Sequence, residues 1–333
     1  MTGKVGFLGC GSWGAALGNI LAEKNVSVSM WHRDPHIVKD LCRNRKHYLI
    51  PSLTIHDDVT ITSKIENVIN NAHIIILAIP SQSIRGLLKK TNTSLQNVTY
   101  IVNVAKGIEN DTLMTMSDVI YDELKYPLTV VTLSGPSHAE EVIERHPTTL
   151  VSASTDHQAA QYVQQLFSTN RLRVYTSEDI KGVELGGSIK NVIAIAAGFC
   201  DGTGYGDNTK AALMTRGIKE LSRLGNYLGA KPETFTGLSG IGDLIVTCSS
   251  PYSRNRQVGE AIGKGQLLED VLAETHMVAE GVQTALSVHQ LSKKTNIEMP
   301  ICDAVYRVLF KKENPEKSVH SLMTRGLKPE HND

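Results

Sequence analysis

Two lysines, an arginine and a group of closely spaced glycines are the residues of this 333-residue chain best suited to chemistry. Lys190 sits in Leu185–Ala197, a Gly- and Ala-rich helical stretch that is apolar nearly all round. Such a helix is buried, and a lysine inside it is costly unless paired or put to use. Desolvation, with a second cation such as Lys106 nearby, draws its pKa toward the operating pH. A lysine tuned in this way can give a proton to a carbonyl oxygen or take one from a carbinol. The competing structural reading is a lysine that snorkels to the surface.

Lys106 closes Asn103-Val104-Ala105-Lys106-Gly107, where a strand ends in a lysine and a glycine. Ligands of open α/β sheets bind beyond the carboxyl ends of strands, so Lys106 is expected in the crevice; a solvated surface lysine is the alternative. Ser134-Gly135-Pro136-Ser137-His138-Ala139-Glu140 also follows a strand. Ser137 and Glu140 have capping-box spacing, and the same helix start offers amides to an anion. Arg254, between Ser253 and Asn255 and downstream of Gly240-Ile241-Gly242-Asp243, can clamp a phosphate bidentately.

The glycines are Gly9, Gly11 and Gly14, between an apolar run, Val5–Leu8, and a helical pattern, Ser12–Lys24. That context turns a weak motif into a dinucleotide-binding signal of the Rossmann type. Gly9 serves the tight turn, Gly11 the approach of the pyrophosphate and Gly14 the helix–strand packing. The second strand ends in Trp31-His32-Arg33-Asp34. Arg33, with His32 as a further donor, favours NADP over NAD, while Asp34 reads as the cap of a helix starting at Pro35.

The elements that must carry these residues follow from periodicity. Near-continuous apolar runs at Val5–Leu8, Val26–Trp31, Ile74–Ile79, Thr99–Val104 and Val130–Leu133 read as strands covered on both faces. Thr149–Ser152 and Leu172–Tyr175 extend the sheet to about residue 178. Beyond Glu178, Val183–Phe199, Thr209–Leu228, Arg256–Gly263, Leu267–Thr275, Gly281–Thr295 and Ile301–Phe310 read as helices. The expectation is a doubly wound, mostly parallel α/β sheet over 1–180, the dinucleotide-binding domain, and an all-helical substrate domain over 181–333. Lys plus Arg equals Asp plus Glu at 34 each, so no bulk field marks a nucleic-acid binder. Five scattered cysteines with no CxxC pair suggest neither a disulfide framework nor a zinc site. With no signal-peptide pattern and no stretch expected to be long enough for a membrane span, the chain reads as cytoplasmic.

Taken together, the motifs resemble the bacterial NAD(P)-dependent glycerol-3-phosphate dehydrogenases over essentially the whole chain. They include GxGSWGxAL at Gly9–Leu17, VAKGIE at Val104–Glu109, LSGPSHAEEV at Leu133–Val142 and GVELGGSIKNVIAIAAG at Gly182–Gly198. GYGDNTKAALMTRG at Gly204–Gly217, GLSGIGDLIVTC at Gly237–Cys248, SRNR at Ser253–Arg256 and VAEGV at Val278–Val282 follow in the same order. The resemblance implies reversible reduction of dihydroxyacetone phosphate to sn-glycerol 3-phosphate for the glycerophospholipid backbone, with Lys190 as general acid and base and no metal. It implies substrate binding by Lys106, Gly135, Ser137, Lys190, Asp243, Ser253, Arg254 and Asn255. It implies cofactor contacts at Ser12, Trp13, Arg33, Lys106, Ala139, Arg254, Val278 and Glu280, and a homodimer. Two rivals remain: a hydroxy-acid oxidoreductase of the same build, which needs no phosphate cluster, and a non-catalytic nucleotide sensor, which needs no Lys190.

Overall fold

The computed structural model describes residues 3–70, 72–274 and 278–330. Eight strands form one sheet: β1 Lys4–Leu8, β2 Val28–Trp31, β3 Thr60–Thr62, β4 Ala72–Leu77, β5 Tyr100–Asn103, β6 Thr129–Ser134, β7 Thr148–Ala153 and β8 Leu172–Ser177. Their order is β3-β2-β1-β4-β5-β6-β7-β8, and every neighbouring pair is parallel except β6 and β7. The strand order reverses beside β1, between β2 and β4, and this switch opens a crevice at the carboxyl ends of the strands. In register, Phe7 of β1 lies opposite Met30 of β2 and Ile76 of β4. These central strands are Val- and Ile-rich because both faces are covered. Helices Ser12–Glu23 and His157–Phe167 pack on one face, Ile84–Thr91 and Met116–Glu123 on the other.

β3 lies outside the expected strands because only Ile61 in its three residues is apolar, too little to register as a run. Several short helices, among them Ala139–Ile143 and Asp243–Ser249, were likewise not legible as periodic segments. The expected helix Leu267–Thr275 is present as Leu268–Glu274, and Thr275 lies outside the described residues.

After Ser177 the described residues contain helices and no strand. The central one is Ile180–Thr203, started by Asp179, whose carboxylate accepts from the Gly182 amide, and ended by Gly204 in the left-handed region. Every residue from Gly182 to Cys200 is buried. This corrects one expectation: the helix is long and apolar enough to cross a membrane, yet its apolar stretch is wholly buried within the protein. Its apolarity arises from being the axis of the helical half.

Its closest neighbour is the helix Arg254–Gly263. A Cβ on Gly198 would stand 2.0 Å from the Arg256 carbonyl oxygen, and one on Gly259 would stand 2.0 Å from that of Ile195. The two backbones touch only because both crossing residues lack side chains. That crossing brings Arg254 and Asn255 to the same crevice as Lys190.

Candidate active site

The crevice is a cleft of about 730 Å³, within the range of small-molecule and cofactor sites. Its floor at one end is the turn after β1. Gly9 has φ +124°, and a Cβ there would lie 2.2 Å from the Ala78 carbonyl oxygen. A Cβ on Gly14 would meet the Gly9 carbonyl oxygen at 2.7 Å, so helix and strand are packed to contact. Gly11 differs, having no atom within 4 Å of where its Cβ would be. The space left open there faces the start of helix Ser12–Glu23, which no side chain caps. Ser12 Oγ is buried with no partner. Free amides, an orphaned hydroxyl and room for a phosphate fit the pyrophosphate of a dinucleotide.

His47, unnoticed in the sequence, supports this turn. Its Nδ1 accepts from the Leu49 amide, which leaves Nε2–H to donate to the Cys10 carbonyl at 3.1 Å. At the end of β2, Asp34 accepts from the His36 amide at 2.8 Å, the cap that Asp-Pro suggests. His32 is held by the Asp34 amide at Nδ1 and by Tyr48 Oη at Nε2. Arg33 is exposed and lines the cleft.

At the other end, lysines from two separate chain segments converge on Asp243. Lys190 Nζ donates to Asp243 Oδ1 at 2.8 Å and to Thr247 Oγ1 at 2.6 Å. Lys106 Nζ donates to Asp243 Oδ2 at 2.7 Å and to the Gly135 carbonyl oxygen at 3.0 Å. One carboxylate thus bridges two ammonium groups. Lys190 is only 5% exposed and does not snorkel. Burial, with repulsion from Lys106, draws its pKa down to about 8 against the opposing pull of Asp243. Burial pushes the Asp243 carboxyl up, but Lys106 and Lys190 outweigh it and hold it below its ordinary range.

The local sequence explains the convergence. Gly187 lies so near Lys106 that a Cβ would stand 3.5 Å from its Cγ and Cδ. Asp243 opens its helix directly after a π-turn, Leu238–Gly242, a local irregularity frequent at functional sites. Thr247 is one helical turn further on, so Asp243 and Thr247 share a face. Glu184, six residues before Lys190, is buried and accepts from Asn103 Nδ2, the Ser117 amide and hydroxyl, and Thr132 Oγ1. It fastens the central helix to β5, β6 and the helix Met116–Glu123. Burial pushes its pKa up against the pull of these donors.

Arg254 lines the cleft and has no hydrogen bond or ion pair among the described residues. Burial lowers its pKa, offset in part by Glu140 and Glu280. Asn255 is fixed on both amide atoms: Nδ2 donates to Asn191 Oδ1, and Oδ1 accepts from the Gly281 amide. Glu280 accepts from the Ser81 amide at 2.8 Å and the Ser81 hydroxyl at 2.5 Å, which joins the helical half to the loop after β4. Gly9, Gly11, Ser12, Trp13, Gly14, Arg33, Lys106, Ser137, Ala139, Lys190, Ser253, Arg254, Asn255, Val278 and Glu280 all line this one cleft. Gly135 and Asp243 stand behind Lys106 rather than on the surface of the cleft. The capping box expected of Ser137 and Glu140 does not form. His138 occupies the cap position without a side-chain bond, and Ser137 Oγ donates back to the Gly135 carbonyl. Thr247, Glu184 and His47 were missed as site residues. Only Thr247 left a sequence signal, its spacing of four from Asp243.

Comparison with known proteins bears on this geometry. Residues 4–160 match the family model described as NAD-dependent glycerol-3-phosphate dehydrogenase N-terminus, and residues 179–320 match the corresponding C-terminus. A glycerol-3-phosphate dehydrogenase [NAD(P)+] of Clostridium botulinum is 48% identical over 328 residues, 98% of this chain and 99% of the relative. One from Listeria monocytogenes is 46% identical over 331 residues, 98% of each. The crystal structure of glycerol-3-phosphate dehydrogenase from Coxiella burnetii superposes with a TM-score of 0.94 at 32% identity, covering 97% of this chain and 99% of that one.

Proposed function

The chain belongs to the NAD-dependent glycerol-3-phosphate dehydrogenase family, and we propose that Lys190 is the proton donor and acceptor of its reaction. The enzyme catalyses the reversible reduction of dihydroxyacetone phosphate to sn-glycerol 3-phosphate with an NAD(P) cofactor. The observation that supports the role of Lys190 is its buried ammonium, held by Asp243 and Thr247 at the cleft with a pKa of about 8. When bound, the reduced nicotinamide supplies a hydride to C2 of the ketone. Lys190 Nζ gives its proton to the carbonyl oxygen as negative charge grows there, so hydride and proton together make the carbinol. In reverse, neutral Lys190 takes the hydroxyl proton. Asp243 and Thr247 fix the direction of Nζ. Arg254 and Asn255 hold the phosphate, whose binding energy orients the small ketone. Lys106, Gly135, Ser137 and Ser253 complete the substrate side. Gly9, Gly11, Ser12, Trp13, Gly14, Ala139, Val278 and Glu280 serve the cofactor.

Arg33 at the cleft, with the Asp34 carboxylate engaged in a helix cap, supports a preference for NADPH. We place the boundary between the dinucleotide-binding domain, 1–180, and the helical substrate domain, 181–333, at the start of the central helix. A homodimer, a cytoplasmic location and a role in supplying the glycerophospholipid backbone complete the reading. The pH dependence of wild-type turnover tests the role of Lys190. Ketone reduction should be flat at low pH and fall as pH rises through about 8, because protonated Lys190 is required. Oxidation of glycerol 3-phosphate should rise through the same region. A reduction rate that climbs through that range would reject the role.

A further inference from the structure

His138 belongs to the cleft yet has no part in the chemistry above. Its ring lines the cavity beside Tyr252, the ring centroids 6.3 Å apart. Nε2 is buried and has no partner, and the Val246 backbone acts on the ring. With the proton on Nδ1, Nε2 is a lone-pair acceptor. Burial first, then the ammonium groups of Lys190 and Lys106, against the pull of Asp243, bring its pKa down to about 4. The ring is therefore neutral wherever the enzyme works, and with Nδ1 protonated its unpartnered Nε2 is an acceptor within the wall of the cleft. Buried acceptors without partners are rare in folded proteins, and a functional site is one place that retains them.

The substrate brings a matching donor. Dihydroxyacetone phosphate carries a phosphate at one end and one free hydroxymethyl group at the other, with the carbonyl between. Arg254 and Asn255 account for the phosphate and Lys190 for the carbonyl oxygen, leaving the hydroxyl. We propose that His138 Nε2 accepts a hydrogen bond from that hydroxyl and so selects a hydroxymethyl ketone over a methyl ketone. The inference rests on reading this cleft as the dihydroxyacetone phosphate site. Lys106 and Lys190 can only donate, and Asp243 is occupied by both of them. An acceptor dedicated to the hydroxyl makes the analogue without it leave Nε2 unpaired, which is how such sites discriminate.

The test compares kcat/KM for dihydroxyacetone phosphate and acetol phosphate, in which the free hydroxyl is replaced by hydrogen. The proteins are wild type, His138→Phe and His138→Gln. Phenylalanine keeps the ring and its packing against Tyr252 but removes Nε2; glutamine offers an amide oxygen at similar reach. We expect wild type to prefer the hydroxylated ketone and His138→Phe to lose that preference by roughly tenfold. Nearly all the loss should fall on dihydroxyacetone phosphate, and His138→Gln should recover part of it. Equal losses on both ketones, as from a ring that only packs, would overturn the proposal. So would an unchanged ratio, or a preference no higher in His138→Gln than in His138→Phe. Wild type that fails on dihydroxyacetone phosphate itself would instead reject the reading of the cleft.

Discussion

Asp243 lies 2.8 Å from Lys190 Nζ and 2.7 Å from Lys106 Nζ, so changes at this triad should move the Lys190 titration in opposite directions. At an effective dielectric near 20, a unit charge about 3 Å away is worth ~5 kcal/mol before solvent and neighbours respond. If a third of that survives, the shift is about one pKa unit. Asp243→Asn removes the negative charge that favours the ammonium, so the pKa should fall from about 8 toward 7 or below. Lys106→Met removes a repelling cation, so the pKa should rise. The assay is kcat for ketone reduction at saturating substrate and cofactor, from about pH 6 to about pH 10, where loss of rate reports deprotonation in the bound complex. Asp243→Asn should move the alkaline fall to lower pH and Lys106→Met should move it to higher pH. Breaking a buried pair costs ~3–5 kcal/mol, so thermal melts must accompany the first variant. Lys106→Met leaves the Lys190–Asp243 pair intact and carries the test if Asp243→Asn unfolds. Shifts in the same direction, or a fall fixed near pH 8 in both variants, would refute the electrostatic account of Lys190.

Other expected outcomes follow from single residues. Arg254→Ala should raise KM for dihydroxyacetone phosphate by roughly 10- to 100-fold, the worth of charged hydrogen bonds to a phosphate, while cofactor binding measured by fluorescence changes less. Gly11→Ala adds a Cβ with no atom within 4 Å to strike, so its melting temperature should stay near wild type while the cofactor Kd rises at least about tenfold. Gly259→Ala places a methyl 2.0 Å from the Ile195 carbonyl; denaturant unfolding should show a loss of ~1–3 kcal/mol or more. Arg33→Ser should lower kcat/KM with NADPH by about tenfold and leave the NADH value nearly unchanged, measured in parallel assays.

The sheet was legible because its central strands are buried on both faces and so carry unbroken Val and Ile runs. Edge strand β3 escaped because pairing with β2, not apolarity, defines three residues around Ile61. The central helix could be read from its composition, and the lone Lys190 within it marked the chemistry. What sequence could not supply was the partner of that lysine. Asp243 stood out only as the end of a Gly-rich cluster and took its role from the family motif, since a π-turn breaks the periodicity that would have signalled its helix. His47 and Glu184 act through contacts distant in sequence, the first on the Cys10 carbonyl and the second on Asn103, Ser117 and Thr132. No local pattern carries such pairings. Ser137 failed in the opposite way: its spacing to Glu140 suggested a capping box, but its hydroxyl turned to the Gly135 carbonyl.

The central claim is that Lys190 moves the proton while the rest of the cleft binds and orients. Lys190→Met tests it most directly, with two readouts on one protein: NADPH affinity by fluorescence titration and kcat with dihydroxyacetone phosphate. Affinity within about threefold of wild type, together with a kcat lower by roughly 10²–10⁴-fold, is the predicted result. Turnover that persists at the wild-type rate would contradict the account.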